Sequence, residues 1–402
     1  MNIHSIYDFL NIPNLELGIV MVLTISITLL FVCRWIDYLL PFWMLRKNDK
    51  KDLYSPEYTP KISVVIPANN QAQELYNNIE TILKQDYPNF EVVIVDESEN
   101  TETKELVEKL QKKYKNLRKT FVPQTFRNVC KRKFSITLGV RAARGEWILL
   151  TNPQCVPNSN QWLSSFAEHF NKDTDVVLGC ANYTKAPSAF TIYKRLRWTI
   201  MGFRAVSWHK AFWGDACNMA FRKSAFIESD GYAESLGAVG GEAEMLIKAI
   251  SKGNNTRYNL SEANYVNEEC PPVPILKLSE IAQRETIRYC KGRVHLFLLR
   301  QGLATFALYT SFIFIALGWM IFAMKPLIFS AYDLNNIYAD IALFIITMLH
   351  IIIPSLFIKL GMNKISPISF TFRHFYFDLI LPINNLYLKI KRWQFRKDFK
   401  CR

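Results

Sequence analysis

The chain has 402 residues, half of them apolar, a composition that argues against a disordered or fibrous protein and leaves room for one large or two small domains plus apolar segments. Its eight cysteines show neither a C-x-x-C pair nor a metal-type spacing, which argues against a zinc ribbon or a disulfide framework and for reduced, mostly buried thiols. The net charge is +14, yet no basic region combines with a helix-turn-helix, zinc-finger or RNP-like pattern, so no nucleic-acid partner is expected.

In chain order, residues 17–33 form an uncharged run that meets the lower limit for a spanning helix. The residues before it carry Asp8 and Glu16 where a signal peptide would carry Lys or Arg, and no small-residue cleavage site follows, so the run reads as a retained anchor. Residues 34–51 hold a net +3, which places the end of this first span in the cytoplasm. Two further uncharged runs at 303–324 and 341–358 take the chain out and back, and the tail from 359 to 402 holds a net +8. Most of the basic balance is thus a membrane signal, and the tail's natural partner is anionic lipid. The expected organisation is a membrane anchor with a basic juxtamembrane segment at 1–51, a cytosolic domain at 52–302, two transmembrane helices within 303–358 and a basic, membrane-associated tail at 359–402.

Within the cytosolic part, residues 62–67 and 90–95 are continuous apolar runs of the buried-strand kind. Leu75, Ile79, Ile82 and Leu83 recur at helical spacing between them, and Leu106, Val107 and Leu110 do so after the second. A short apolar run at 120–122 follows, then Phe134, Leu138 and Ala142 lead into a central strand in EWILLTNPQCVP, residues 146–157. Residues 176–180 add a strand, preceded by a helix bearing Trp162, Phe166 and Phe170. Such alternation predicts an α/β domain whose parallel sheet is covered by crossover helices. Farther on, Ile192, Leu196, Ile200, Phe203 and Val206 share one helical face while Lys194, Arg197 and Arg204 take the other. With Trp198 and Trp208 nearby, that helix suits a bilayer surface slightly better than a protein core.

The order of KISVVIPANN, NFEVVIVDESEN, EWILLTNPQCVP, GDACNMAFRKSAF and GGEAEM resembles the nucleotide-sugar glycosyltransferases of family 2, over about residues 60–300. The resemblance implies a GT-A nucleotide-sugar-binding domain with a mixed, mainly parallel sheet, and Gly214, Asn218, Arg222 and Phe226 fit its pattern. Asp96, at a strand's carboxyl end, either caps the following turn or accepts hydrogen bonds from a base or ribose, and the resemblance favours the nucleotide. It places Pro67, Ala68 and Asn70 in the same crevice. The family's central strand ends in an Asp-x-Asp that holds magnesium or manganese, whereas this chain reads Asn152, Pro153, Gln154. Neutral amides are poor ligands for a hard divalent ion, so Asn152 and Gln154 are read as nucleotide-side residues and no metal ligand is assigned. Leaving-group charge then falls to cations, either Lys131, Arg132 and Lys133 or Arg284 and Arg288.

The family's general base lies in a Gly-(Glu/Asp)-Asp motif, and its position here is Ala243. Glu242 and Glu244 are the candidate substitutes, although neighbouring helical positions point about 100° apart. Gln283 and Arg284 resemble the start of the family's Gln-(Arg/Lys)-x-Arg segment on the acceptor side, with Thr286 in place of the second Arg and Arg288 two residues late. The expectation is an inverting, membrane-bound glycosyltransferase on the cytoplasmic face of a bacterial inner membrane. It would carry sugar from a nucleotide-sugar donor to a lipid-linked or envelope glycan. The other reading is a catalytically silent relative that binds or assembles a partner glycosyltransferase.

Overall fold

The computed structural model describes residues 59–98, 101–123, 130–290, 294–300 and 374–394, with isolated positions at 292, between 29 and 43, and between 302 and 363. Residues 43–295 with 359–402 form one compact unit and residues 1–42 with 296–358 another. Of the second, only scattered helical positions are described. The larger unit runs β1 (Ile62–Ala68), α1 (Ala72–Leu83), β2 (Phe90–Asp96), α2 (Glu102–Gln111), β3 (Leu117–Phe121), α3 (Lys131–Ala142), β4 (Trp147–Leu150), β5 (Cys155–Pro157), α4 (Trp162–Ala167), β6 (Val176–Leu178) and β7 (Ala181–Thr184). It continues through α5 (Ala189–Ser207), β8 (Met219–Arg222), α6 (Lys223–Glu228), α7 (Glu242–Ile250), β9 (Thr256–Tyr258), β10 (Val266–Glu269), α8 (Val273–Thr286) and α9 (His374–Gln394).

The main sheet has seven strands in the order β3-β2-β1-β4-β8-β6-β9, and only β8 runs against the others. This is the mixed, mainly parallel α/β sheet of a GT-A-like fold. β1 is buried at every position, as expected of a central parallel strand covered on both faces, which is why it reads as an unbroken apolar run. α3 packs closely on the sheet at Gly139, where an added Cβ would lie 2.5 Å from Val65 Cγ1 and 2.8 Å from Val95 Cγ2. A second, three-stranded sheet, β5-β10-β7, begins where the central loop turns back into a strand at Cys155.

Two polar side chains tie the segments of this domain together. Asn218 donates through Nδ2 to the Cys180 and Asn264 carbonyls (2.7 and 2.8 Å) and accepts from Trp162 Nε1 (3.0 Å), so one amide ties three segments. Arg222 lies over the Trp147 ring and donates to Glu146 (2.5 Å) and to the Asn171 carbonyl (2.6 Å). Both positions are structural: their contacts hold the sheet and its loops together and do not enter the cavity.

The structure revises two expectations. α4 ends at Ala167, and Phe170 lies beyond it, stacked on Trp147 with ring centroids 3.8 Å apart. α5 is not a bilayer-surface helix with a solvated basic face: from Phe190 to Trp208 no side chain is exposed. Arg204 is buried against the Trp208 ring, and Lys194 pairs with Glu280. A stripe of charge on a helical wheel reads the same whether those charges meet water or buried partners. Among the described residues no helix is long and apolar enough to cross a membrane. The uncharged runs at 17–33, 303–324 and 341–358 lie for the most part outside the described residues.

Candidate active site

The first half of the site lies at the carboxyl ends of β1, β2 and β4. Asp96 is buried there and its Oδ1 accepts from the Ser98 amide (3.0 Å), so the carboxylate both closes a local turn and is held in place by it. Asn70 takes left-handed backbone at φ 51, a conformation asparagine tolerates, and its amide donates to Ser98 Oγ (2.9 Å). Pro67 and Ala68 are buried and act through their carbonyls, which accept from Arg132 Nη1 and from the Glu97 amide, both at 2.8 Å.

The central triplet is engaged at every member. Asn152 Oδ1 accepts from Arg132 Nη2, and the Pro153 carbonyl accepts from Asn78 Nδ2 (3.0 Å). Gln154 Oε1 accepts from Gln71 Nε2 (2.9 Å), while its Nε2 donates to Glu268 Oε1 (3.2 Å). A divalent cation does not fit this set. The oxygens are neutral, Asn152 Oδ1 already receives a guanidinium, and a carboxylate at 154 would face Glu268 across a hydrogen-bond distance. One other set of metal-type donors converges among the described residues, Cys155, Cys217 and Glu268, within 4.8 Å of one another. There Arg195 pairs with Glu268 Oε2 at 2.6 Å and already supplies the cation.

The second half is a cavity of about 790 Å³ walled by α5, the turn into α7, α8 and α9. Gly240 and Gly241 both take positive φ, 74 and 73, and bring the start of α7 against α8. A Cβ on Gly241 would fall 2.2 Å from Thr286 Cγ2. Thr286 is therefore buried at that contact, and an arginine in its place would have no room. The same close approach sets Glu244 beside Gln283, whose Nε2 donates to Glu244 Oε1 (3.3 Å). Glu244 lines the cavity yet is almost wholly buried, and loss of hydration pushes its carboxyl up to about 7.

Glu242 and Ala243 line the same cavity. Asp215 forms another part of the wall, held by Arg195 Nη2 at 2.9 Å, and burial raises its carboxyl against the pull of that guanidinium. Arg195 also covers the Tyr183 ring at 4.0 Å. Gln154, Glu268, Arg195 and Asp215 thus form one polar chain from the triplet to the cavity.

The structure brings together Asp96, Pro67, Ala68, Asn70 and Asn152 at one end, and Glu242, Glu244, Gln283 and Arg284 at the other. Arg284 donates to Asn385 of α9, which packs on α8 through Leu388 against Ile281 and Ala282. Arg288 does not join them: it pairs with Glu285 at 2.6 Å, is 43% exposed and lies outside the cavity lining. Lys133 is likewise unavailable, since it is buried and donates to the Ser235 and Ala238 carbonyls (3.0 and 2.9 Å). Sequence reasoning missed Asp215, Arg195 and Glu268. Only Asp215 carried a signal, as the residue after Gly214 in GDAC, and its partners lie too far along the chain to be paired by spacing.

Comparison with known proteins agrees with this geometry. Among curated relatives, the glycosyltransferase GlyG of Streptococcus pneumoniae serotype 4 (strain ATCC BAA-334 / TIGR4) is 27% identical over 133 residues, 33% of this chain and 43% of that protein. The chain thus spans less than half the length of that relative. The mannosyltransferase PcManGT from Pyrobaculum calidifontis, solved with GDP-Man and Mn2+, has the same fold at a TM-score of 0.51, with 18% identity over 85% of this chain and 98% of that one. Residues 1–349 of S. aureus TarS match at a TM-score of 0.40 and 19% identity, over 52% of this chain and 60% of that one. Residues 63–229 match the model of Glycosyl transferase family 2. It is through this domain, with its β1-to-β8 sheet and the crevice at its strand ends, that the chain is similar to glycosyltransferase family 2.

Proposed function

We propose that the protein is an inverting glycosyltransferase that moves a sugar from a nucleoside diphosphate sugar to a lipid-linked or envelope glycan. One observation carries the reading: Glu244 is a buried carboxyl raised to about 7, bonded by Gln283, in the wall of a cavity that Arg132 also lines. A general base works best with a pKa near the working pH. The Glu244 carboxylate takes the acceptor hydroxyl's proton as that oxygen attacks the anomeric carbon. The bond from that carbon to the diphosphate oxygen breaks, and its electron pair leaves with the nucleoside diphosphate. Asp96 holds the nucleoside with the Pro67–Asn70 loop, Asn152 and Gln154 border the diphosphate, and Gln283 and Arg284 face the acceptor.

The membrane forms the second part of the proposal. Residues 1–51 anchor the chain, 52–302 are the cytosolic catalytic domain, 303–358 supply two spans, and 359–402 follow the cytoplasmic surface. The uncharged runs and flanking basic residues support this, as do exposed apolar side chains on α9 (Ile383, Leu386, Ile390 and Trp393, the last 77% exposed) and on α8 (Ile275, Leu278). An impermeant thiol reagent should fail to reach cysteines introduced at Lys51 or Arg396 in intact cells, and labelling at either site refutes the topology.

The activity is tested with the full chain in nanodiscs, offered a panel of UDP- and GDP-sugars and a polyprenyl-linked acceptor. Glycosylated acceptor, lost in Glu244→Gln, is the expected result. Nucleotide binding without turnover of any donor, together with stable co-purification of another transferase, would instead identify a silent assembly subunit.

A further inference from the structure

The drifted triplet leaves a question of charge. A departing nucleoside diphosphate carries negative charge that must be met as the glycosidic bond breaks, and Asn152 and Gln154 offer no anionic seat for a metal. Resting on the reading of this site as a donor crevice, we infer that the guanidinium of Arg132 takes the place of the divalent cation and binds the diphosphate directly.

Three observations carry this. The first is position: Arg132 Nη2 donates to Asn152 Oδ1, the atom in register with a metal-binding carboxylate of the family, and Nη1 donates to the Pro67 carbonyl at 2.8 Å. The guanidinium is thereby fixed across the ends of β1 and β4, where the strand-end crevice lies. The second is access: Arg132 is half-buried, its side chain 28% exposed, and it lines the large cavity. Among the described residues it is the one that both bonds to the triplet and lines the acceptor cavity.

The third observation is the state of the competing cations. Lys133 is buried and held by two carbonyls, Arg288 is paired outside the cavity, and Arg284 is tied to Asn385 on α9. Lys131 is exposed and outside the cavity lining. Among the described residues the acid that pairs with Arg132 is Glu97, at 4.0 Å, too far for a hydrogen bond and too weak a partner to occupy the fork. An arginine presents a planar set of donors matched to phosphate oxygens, so two of its N–H groups can meet the diphosphate while others keep their protein partners.

A guanidinium and a divalent ion cannot share Asn152 Oδ1, since their charges repel at hydrogen-bond distance. Carboxylates at 152 and 154 would draw the arginine into a salt bridge that neutralises it, whereas the amides present leave its charge free to meet an anion.

The test is equilibrium binding of UDP, GDP and the matching monophosphates to the full-length protein in EDTA, with turnover measured separately. The wild type should bind its diphosphate more tightly than the monophosphate without metal. Arg132→Met and Arg132→Gln should lose about ten- to a hundredfold in diphosphate affinity, the size of a lost charge-assisted contact, and leave monophosphate affinity unchanged. Arg132→Lys, which keeps the charge without the fork, should retain part of the difference. Unchanged monophosphate binding shows that the variants are folded, and if one neutral variant fails that check the other replaces it. Absence of diphosphate binding in EDTA, or a diphosphate preference that survives both neutral substitutions, overturns the inference. Metal-free, Arg132-dependent diphosphate binding with no donor turned over upholds it while refuting the proposed activity.

Discussion

The two ends of the cleft are built on opposite electrostatic plans. At the ends of β1 and β4 the polar atoms are mostly neutral amides and carbonyls gathered around one half-buried guanidinium, so the place is shaped to receive charge. In the cavity wall the ionisable groups are already present and largely buried: Glu244, Asp215 and Arg195, the last paired to Glu268 behind it. The first end can bind an anion at little cost to the fold. The second holds Glu244 and Asp215 in an environment that disfavours their charged forms, which makes them reactive and makes them a burden on stability.

The sharpest way to break that contrast is to neutralise the two acids of α7 in turn. Glu244→Gln should lower turnover by about 10²- to 10⁴-fold with nucleotide affinity unchanged, the loss typical of a missing base. Glu242→Gln should stay within about tenfold, and the reverse order would move the base to Glu242. Next in size is Arg195→Leu, which strands Asp215 and Glu268 without their partner and should cost about 3 to 5 kcal/mol by chemical denaturation. Adding Asp215→Asn and Glu268→Gln should return much of it, because the stranded charges rather than the absent arginine carry the penalty.

A third prediction concerns pH. Burial raises the Glu244 carboxyl from 4.5 to about 7, so between those values the folded protein keeps a proton that the unfolded chain has released. The contribution to stability is therefore complete below about pH 4.5 and is lost as pH rises through about 7, a change of about 3 kcal/mol. Melting temperature measured across this window should fall more in the wild type than in Glu244→Gln, while kcat/KM rises as the base ionises. Parallel melting curves would place Glu244 in water. At the nucleotide end, Asp96→Ala should weaken nucleotide binding by about 1 to 3 kcal/mol in a titration and leave the cavity's pH behaviour intact. The smallest effect belongs to Arg288→Ala, whose exposed pair with Glu285 is worth under about 1 kcal/mol and should not change turnover.

The same contrast explains what was legible in the sequence. β1, β2 and β4 were readable because parallel strands buried on both faces must be continuous apolar runs. Asp96 and the Asn152–Gln154 positions followed, since a residue at a strand's end is placed by the strand itself. Arg132 was one of several candidate cations, and only its hydrogen bond to a residue twenty positions away distinguishes it. The cavity was harder to read. Glu244 meets Gln283 through a 39-residue separation and Arg195 on α5 meets Glu268 on β10, so these contacts have no local signature. α5 was misread for the same reason, as helical periodicity finds a stripe of charge and cannot say what covers it.

The docking of α9 on α8 has a consequence for biosynthesis. Leu381, Asn384, Asn385 and Leu388 complete the wall of a cavity whose other residues lie between positions 130 and 284. A ribosome that has delivered the sheet, the turn at Gly241 and all of α8 has still not delivered all of the cavity wall. The wall is complete only after about a hundred further residues have been translated and α9 has returned to α8. A frameshift between α8 and α9 therefore removes part of the cavity wall although it leaves the sheet, the turn at Gly241 and α8 intact.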